Sequence, residues 1–144
     1  MILKNRKILL IEDNQGDIWI VKEVFSDFLK TELVVKSNGI FAIEYLKESA
    51  SYGTNKLPDL IILDLNLPGK NGEEILKELK GDSMLSGIPV IVMSTEDDKK
   101  VINKIYRIGA NCFIVKPGNA DDYVKVIESV GKFWLNTVRL PVYE

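Results

Sequence analysis

Five short apolar runs, each followed within a few residues by a segment of helical spacing, constrain this chain more than any other feature. The first run is KILLIE at 7–12, and beyond the turn residues Asp13 and Asn14 the apolar residues Val21, Val24, Phe25 and Phe28 recur at the helical period. The alternation then repeats: strand 33–36 and helix 40–48 with Ile43 and Leu46 inward, strand 60–64 and helix 73–80, strand 89–94 and helix 99–108, strand 112–116 and helix 121–136. Strands that are apolar on both faces must be covered on both. Five βα units therefore predict an α/β fold, a doubly wound five-stranded parallel sheet with helices on either side. Strand-to-helix crossovers are right-handed, so covering both faces requires the strand order to reverse, and ligands bind at the carboxyl ends of the strands where it does. In the order 2-1-3-4-5 that point lies between strands one and three. Without internal repeat, low-complexity segment or interdomain linker, residues 1–144 read as a single domain with a short C-terminal extension from about 132. The segment 49–58 (SASYGTNKLP) reads as the longest surface loop.

Composition removes whole classes of chemistry. A chain of 144 residues buries about two thirds of the surface it exposes when unfolded, so it needs no staples. Its one cysteine, Cys112, excludes an internal disulfide and reads as a small buried hydrophobe, and no secretory leader opens the sequence, which places the protein in the cytoplasm. No stretch is long enough to span a bilayer. A formal charge of −2 leaves no broad basic face for nucleic acid, which is bound by clustered Lys and Arg. The mixed run Asp97-Asp98-Lys99-Lys100 reads as a solvated helix start. Histidine is absent, so Ser-His-Asp and Cys-His nucleophile systems are excluded and a zinc site has almost no ligands.

What remains are acids and one lysine at strand ends. Glu12-Asp13 closes the first run, Asp64 the third, and Lys116-Pro117 the fifth. Like charges a few ångströms apart resist ionising together, so a fold that gathers three acids needs a cation among them. Adjacent strands sit about 4.8 Å apart, which brings Asp13 and Asp64 within reach of one Mg²⁺ with oxygen ligands at roughly 2.1 Å. Glu12, Asp13 and Asp64 then balance Mg²⁺ and Lys116. Such a site can bind the oxygens of a phosphoryl group carried by Asp64 as an acyl phosphate, with a hydroxyl from Ser94, beside Thr95, meeting another oxygen.

The motifs IEDN, LDLNLP, MSTED and FIVKP, in this order and at this spacing, resemble the receiver domain of bacterial two-component response regulators over essentially the whole chain. The resemblance implies the flavodoxin-like receiver fold. It implies that Asp64 is the phosphoacceptor, supplied by the phosphohistidine of a sensor kinase, and that Glu12 and Asp13 hold Mg²⁺ with help from the backbone carbonyl of Asn66. It further implies that Ser94 and Phe113 form a switch, that Lys116 binds phosphate, and that the Lys116–Pro117 bond is cis. The early DNQGDIWIV and the closing KFWLNTVRLP resemble the single-domain regulators linked to phytochrome-type sensor kinases. On this reading the protein turns over no small substrate beyond its own phosphorylation and dephosphorylation. It stands alone and signals through protein contacts, including a homodimer. Thr95 stands where many receivers have alanine, and Glu12 where aspartate is commoner.

Each residue also has a plainer reading. Asp13 could cap the first helix, Asp64 could open the turn before Pro68-Gly69, Ser94 and Thr95 could cap the fourth helix, and Phe113 could be a core aromatic. Ile127, Val130 and Trp134 fall on one stripe of the last helix and should face the sheet, which leaves Phe133 either to the tail's own packing or to a partner. Two other functions share the topology: a small Mg²⁺-dependent phosphohydrolase with an aspartyl nucleophile, and an FMN-binding module that the clustered acids disfavour.

Overall fold

In the computed structural model, which describes residues 5–142, the alternation is realised as β1 (Arg6–Ile11), α1 (Gln15–Phe25), β2 (Thr31–Lys36), α2 (Gly39–Ser51), β3 (Leu60–Asp64), α3 (Gly72–Gly81), β4 (Val90–Ser94), α4 (Lys99–Ile108), β5 (Cys112–Val115) and α5 (Ala120–Gly131). The strands are parallel in the order β2-β1-β3-β4-β5. The period of two along each strand divides the core. Leu9, Ile11, Ile61, Leu63, Val90 and Val92 point to one face, where Leu46 of α2, Ile75 and Leu79 of α3 and Ile105 of α4 cover them. Ile8, Leu10, Leu60, Ile62, Ile91 and Met93 point to the other, under Val21 and Phe25 of α1 and Tyr123 and Ile127 of α5.

Each of the helices α1 to α5 opens on an Asn or Asp whose side chain accepts a hydrogen bond from the first turn. Asn14 takes the Asp17 N–H, Asn38 that of Phe41, Asn71 that of Glu74, Asp98 that of Lys100 and Asn119 that of Asp122. Short Asx side chains meet the otherwise unpaired N–H groups there. The cap of α1 is therefore Asn14 and not Asp13, and the cap of α4 is Asp98 and not Ser94 or Thr95, which leaves all three free of capping.

Three expectations change. Segment 49–58 is shorter as a loop than its composition suggests, since α2 runs to Ser51 and a 3₁₀ turn occupies Thr54–Lys56. The last helix ends at Gly131 and passes into a π-helical turn, Lys132–Thr137, closed by the Val138 N–H on the Phe133 carbonyl at 3.0 Å. The wider turn carries one more residue, so Leu135 follows Ile127 and Val130 into the core while Trp134 is only half-buried and Phe133 stays exposed. Every peptide bond among the described residues is trans, Lys116–Pro117 included, contrary to the cis bond implied by the resemblance. The trans form of an X–Pro bond is favoured intrinsically, and the flexible lysine stem reaches its partners without the cis geometry. No helix of the described residues is long and apolar enough to cross a membrane.

Beyond the π-helical turn, Val138, Leu140, Pro141 and Val142 line a groove of about 1130 Å³ with Trp19, Ile20 and Val24 of α1. The Arg6 guanidinium ties the π-helical turn to β1 by donating to the Leu135 carbonyl. Of the extension from 132, Tyr143 and Glu144 lie outside the described residues.

Candidate functional site

Strand registers set the site. Ile11 stands beside Leu63, and Asp64 beside Met93, so the carboxyl ends of β1, β3 and β4 finish level, with Glu12, Asp64 and Ser94 at the switch point of the sheet. Glu12 and Asp64 are 1% and 5% exposed, and Ser94 is fully buried, whereas Asp13 and Thr95 are open to solvent. Ligand oxygens of Glu12, Asp13 and Asp64 lie within 4.8 Å of one another, a group that could hold a metal ion. Carboxylate oxygens alone form a hard donor set, suited to a divalent cation of the Mg²⁺, Mn²⁺ or Ca²⁺ type.

Lys116, just past the end of β5, is fixed by its N–H on the Ser94 carbonyl at 2.7 Å. Its ammonium meets Glu12 Oε1 at 2.5 Å, Asp17 Oδ2 at 2.9 Å and Asp64 Oδ2 at 3.4 Å. The other oxygen of Asp64 accepts the Asn66 N–H at 3.0 Å. The Asn66 side-chain amide bridges to Ser94 Oγ at 3.2 Å and Thr95 Oγ1 at 3.3 Å, and Ser94 Oγ also accepts the Glu96 N–H at 3.0 Å. Glu12, Asp13, Asp64 and Lys116 thus form a charged centre, and Asn66, Ser94 and Thr95 a hydrogen-bonded rim. Phe113 stands apart from these polar contacts, half-buried against the α2–α3–α4 core, its N–H donating to the Tyr106 phenol at 3.0 Å.

The electrostatics show what the centre lacks. Burial first, and then the hydrogen bond and charge of Asp64, push the Glu12 carboxyl from its ordinary 4.5 to about 8 against the opposing pull of Lys116. Lys116 is itself buried, which disfavours its charge, yet the hydrogen bonds to Glu12 and Asp17 prevail and raise its pKa. A single ammonium does not neutralise the acids around it, and Glu12 holds a proton that a divalent cation would displace.

Asp17 is the residue that reading the strand ends misses. It lies in the first turn of α1, three residues after the capping Asn14, and an acid in the first turn of the helix that follows the acidic strand end is the signal that would have found it. With Asp17 counted, three carboxylates contact Lys116 and Asp13 stands beside two of them, so the balance drawn from Glu12, Asp13 and Asp64 alone is one negative charge short.

The family profile for the response regulator receiver domain matches residues 8–128. The chain belongs to this receiver family. It is 37% identical over 135 residues to response regulator Rcp1 of Synechocystis sp., covering 93% of this chain and 92% of that protein. Among solved structures, the phosphorylated cyanobacterial phytochrome response regulator RcpA superimposes with a TM-score of 0.89 at 38% identity, over 96% of this chain and 100% of that one. The Mn²⁺-bound form of Rcp1 superimposes with a TM-score of 0.88 at 36% identity, over 95% and 99%. This receiver is therefore a two-component signalling protein with the flavodoxin-like receiver fold, which sets aside the phosphohydrolase and FMN alternatives.

Proposed function

We propose that this receiver takes a phosphoryl group from the phosphohistidine of a sensor kinase onto Asp64, with Mg²⁺ bound by Glu12, Asp13, Asp64 and the Asn66 carbonyl. The observation that carries the reading is the convergence of three carboxylates and one buried ammonium at the switch point of the sheet. An Asp64 oxygen attacks phosphorus; the P–O bond forms as the P–N bond breaks, and the imidazole nitrogen leaves with the electron pair. Mg²⁺ supplies charge neutralisation for the phosphoryl oxygens. Lys116 neutralises a second oxygen, and the hydroxyls of Ser94 and Thr95, now turned to Asn66, can donate to the third. Ser94 drawn toward the phosphoryl group and Phe113 moving on β5 form the switch that remodels the α4–β5–α5 face, a population shift between two packings. Hydrolysis of the acyl phosphate by the receiver itself resets it, with Thr95 crowding the approach of water. The test is incubation with acetyl phosphate, with and without Mg²⁺. Intact mass should rise by one phosphoryl group only with the metal.

Metal binding to the native state alone stabilises by RT ln(1 + [L]/Kd). Mg²⁺ should raise the melting temperature of the wild type and much less that of Asp13→Asn; equal shifts would remove Asp13 from the site.

Likeness to RcpA, a phytochrome response regulator, supports a phytochrome-type sensor kinase as the donor. Output runs through protein contacts, among them a homodimer through the α4–β5–α5 face and the tail. Lys99, Lys100 and Arg107, with Lys104 paired to Glu73, make α4 basic, while Asp121, Asp122 and Glu128 outnumber Lys125 on the exposed side of α5, so two copies about a twofold axis can pair one with the other. Sedimentation should give a dimer for the full chain, strengthened by phosphorylation, and a monomer for a chain ending at Lys132. Monomers in every state would leave the tail as packing only.

A further inference from the structure

Lys116 has a partner that a phosphate site does not require. Its three N–H donors are directed to Glu12 at 2.5 Å, to Asp17 at 2.9 Å and, at a looser 3.4 Å, toward Asp64. The two close contacts draw the ammonium away from the carboxylate that would carry the phosphoryl group. Asp17 is held firmly in this position, because Asn14 caps its N–H at 2.9 Å and so fixes the first turn of α1. Its carboxylate lies outside the group of acids that could share a metal ion.

The two partners differ in how easily they can let go. The Glu12 side chain is 2% exposed and that of Asp17 24% exposed. A polar group that loses a hydrogen-bond partner inside the protein is left without one, whereas a group with access to water is rehydrated. Asp17 is therefore the partner that can release Lys116 at small cost.

We propose that Asp17 is a positioning residue that keeps the Lys116 ammonium in a resting place beside α1 and yields it when Asp64 gains a phosphoryl group. The proposal rests on the reading of Asp64 as phosphoacceptor. Asp17 and the phosphoryl group compete for one cation, so Asp17 sets how strongly the site retains phosphate. Trp19, two residues further along the same helix and exposed, offers a fluorescence reporter on α1.

The test is a titration with beryllofluoride, a phosphoryl mimic, in saturating Mg²⁺, followed by tryptophan fluorescence. Asp17→Asn should bind the mimic about tenfold more tightly than the wild type, the scale of one charge-assisted hydrogen bond, and Asp17→Glu should bind as the wild type does. Lys116→Met should bind weakly, and Asp17→Asn should add nothing in that background. Unchanged affinity in Asp17→Asn would overturn the proposal. A gain that persists without Lys116 would also overturn it, since general charge repulsion would then be the cause. If the wild type neither binds beryllofluoride nor gains the mass of a phosphoryl group from acetyl phosphate, the Asp64 reading itself fails and takes the proposal with it. If the wild type does both and Asp17→Asn matches it, only the role of Asp17 is lost.

Discussion

Asp64→Asn should abolish phosphorylation by acetyl phosphate completely and leave the domain folded, with stability in metal-free buffer equal to the wild type or higher. The amide keeps an acceptor for the Asn66 N–H and removes one negative charge from beside Glu12. The same variant should change how stability varies with pH. Glu12 has a folded-state pKa of about 8 against 4.5 ordinarily, so between those values the native state holds a proton that the unfolded chain has released. Its contribution is fully present below about pH 4.5 and is lost as pH rises through 8. Removal of the Asp64 charge lowers the Glu12 pKa and narrows that window, so the fall in melting temperature from about pH 5.5 to about pH 8 should be smaller in Asp64→Asn than in the wild type. Thermal melts in chelator at both values decide it, and a steeper fall in the variant would contradict the arrangement.

Gly72→Ala should be the most disruptive single-methyl change near the site. A Cβ at this position would stand 2.6 Å from Leu65 Cα, 2.7 Å from the Asp64 carbonyl oxygen and 3.0 Å from that of Leu65, all backbone atoms that no side-chain rotation can move aside. The first turn of α3 lies directly on the strand end that carries Asp64, with the Gly72 N–H on the Leu65 carbonyl at 3.2 Å. Forced separation should cost about 3 kcal/mol, the upper end for overpacking, or roughly 10 °C in Tm. It should also slow phosphorylation, because the displaced backbone is that of Asp64, the proposed phosphoacceptor. Gly81→Ala, at the other end of α3, meets nothing within 4 Å and should be neutral or stabilising by up to about 1 kcal/mol. Helix propensity alone would make both substitutions neutral or stabilising, so a Gly72→Ala variant as stable as Gly81→Ala would contradict the close contact with the Asp64 strand end.

Much of this receiver is legible in order. The runs at 60–64 and 99–108 become β3 and α4 to the residue, because each is bounded by residues that stop or start an element: Pro58-Asp59 and Asp98 on one side, Leu65 after the last ladder pair and Gly109 on the other. Helix starts at Gly39, Gly72 and Ala120 fall one residue earlier than apolar spacing suggests, since the capping Asn38, Asn71 and Asn119 mark the boundary and the first apolar residue follows later. Where the pattern misleads, local backbone geometry is the cause. Ile127, Val130 and Trp134 share a stripe only if the helix keeps its α period, and the π-helical turn replaces Trp134 by Leu135.

By itself the sequence determined the number and type of elements, the two-sided covering of the sheet and the gathering of Glu12, Asp13, Asp64 and Lys116, because apolar periodicity and strand-end position are properties of short segments and the crossover rule converts them into topology. Only the tertiary structure decided how the charges within that gathering pair. The Lys116 stem can reach several acids, and its choice of Glu12 and Asp17 over Asp64 depends on how α1 packs beside β5's end, a relation between residues 99 positions apart. The burial that raises the Glu12 carboxyl to about 8 arises in the same way, from the surrounding fold and not from its neighbours in the chain.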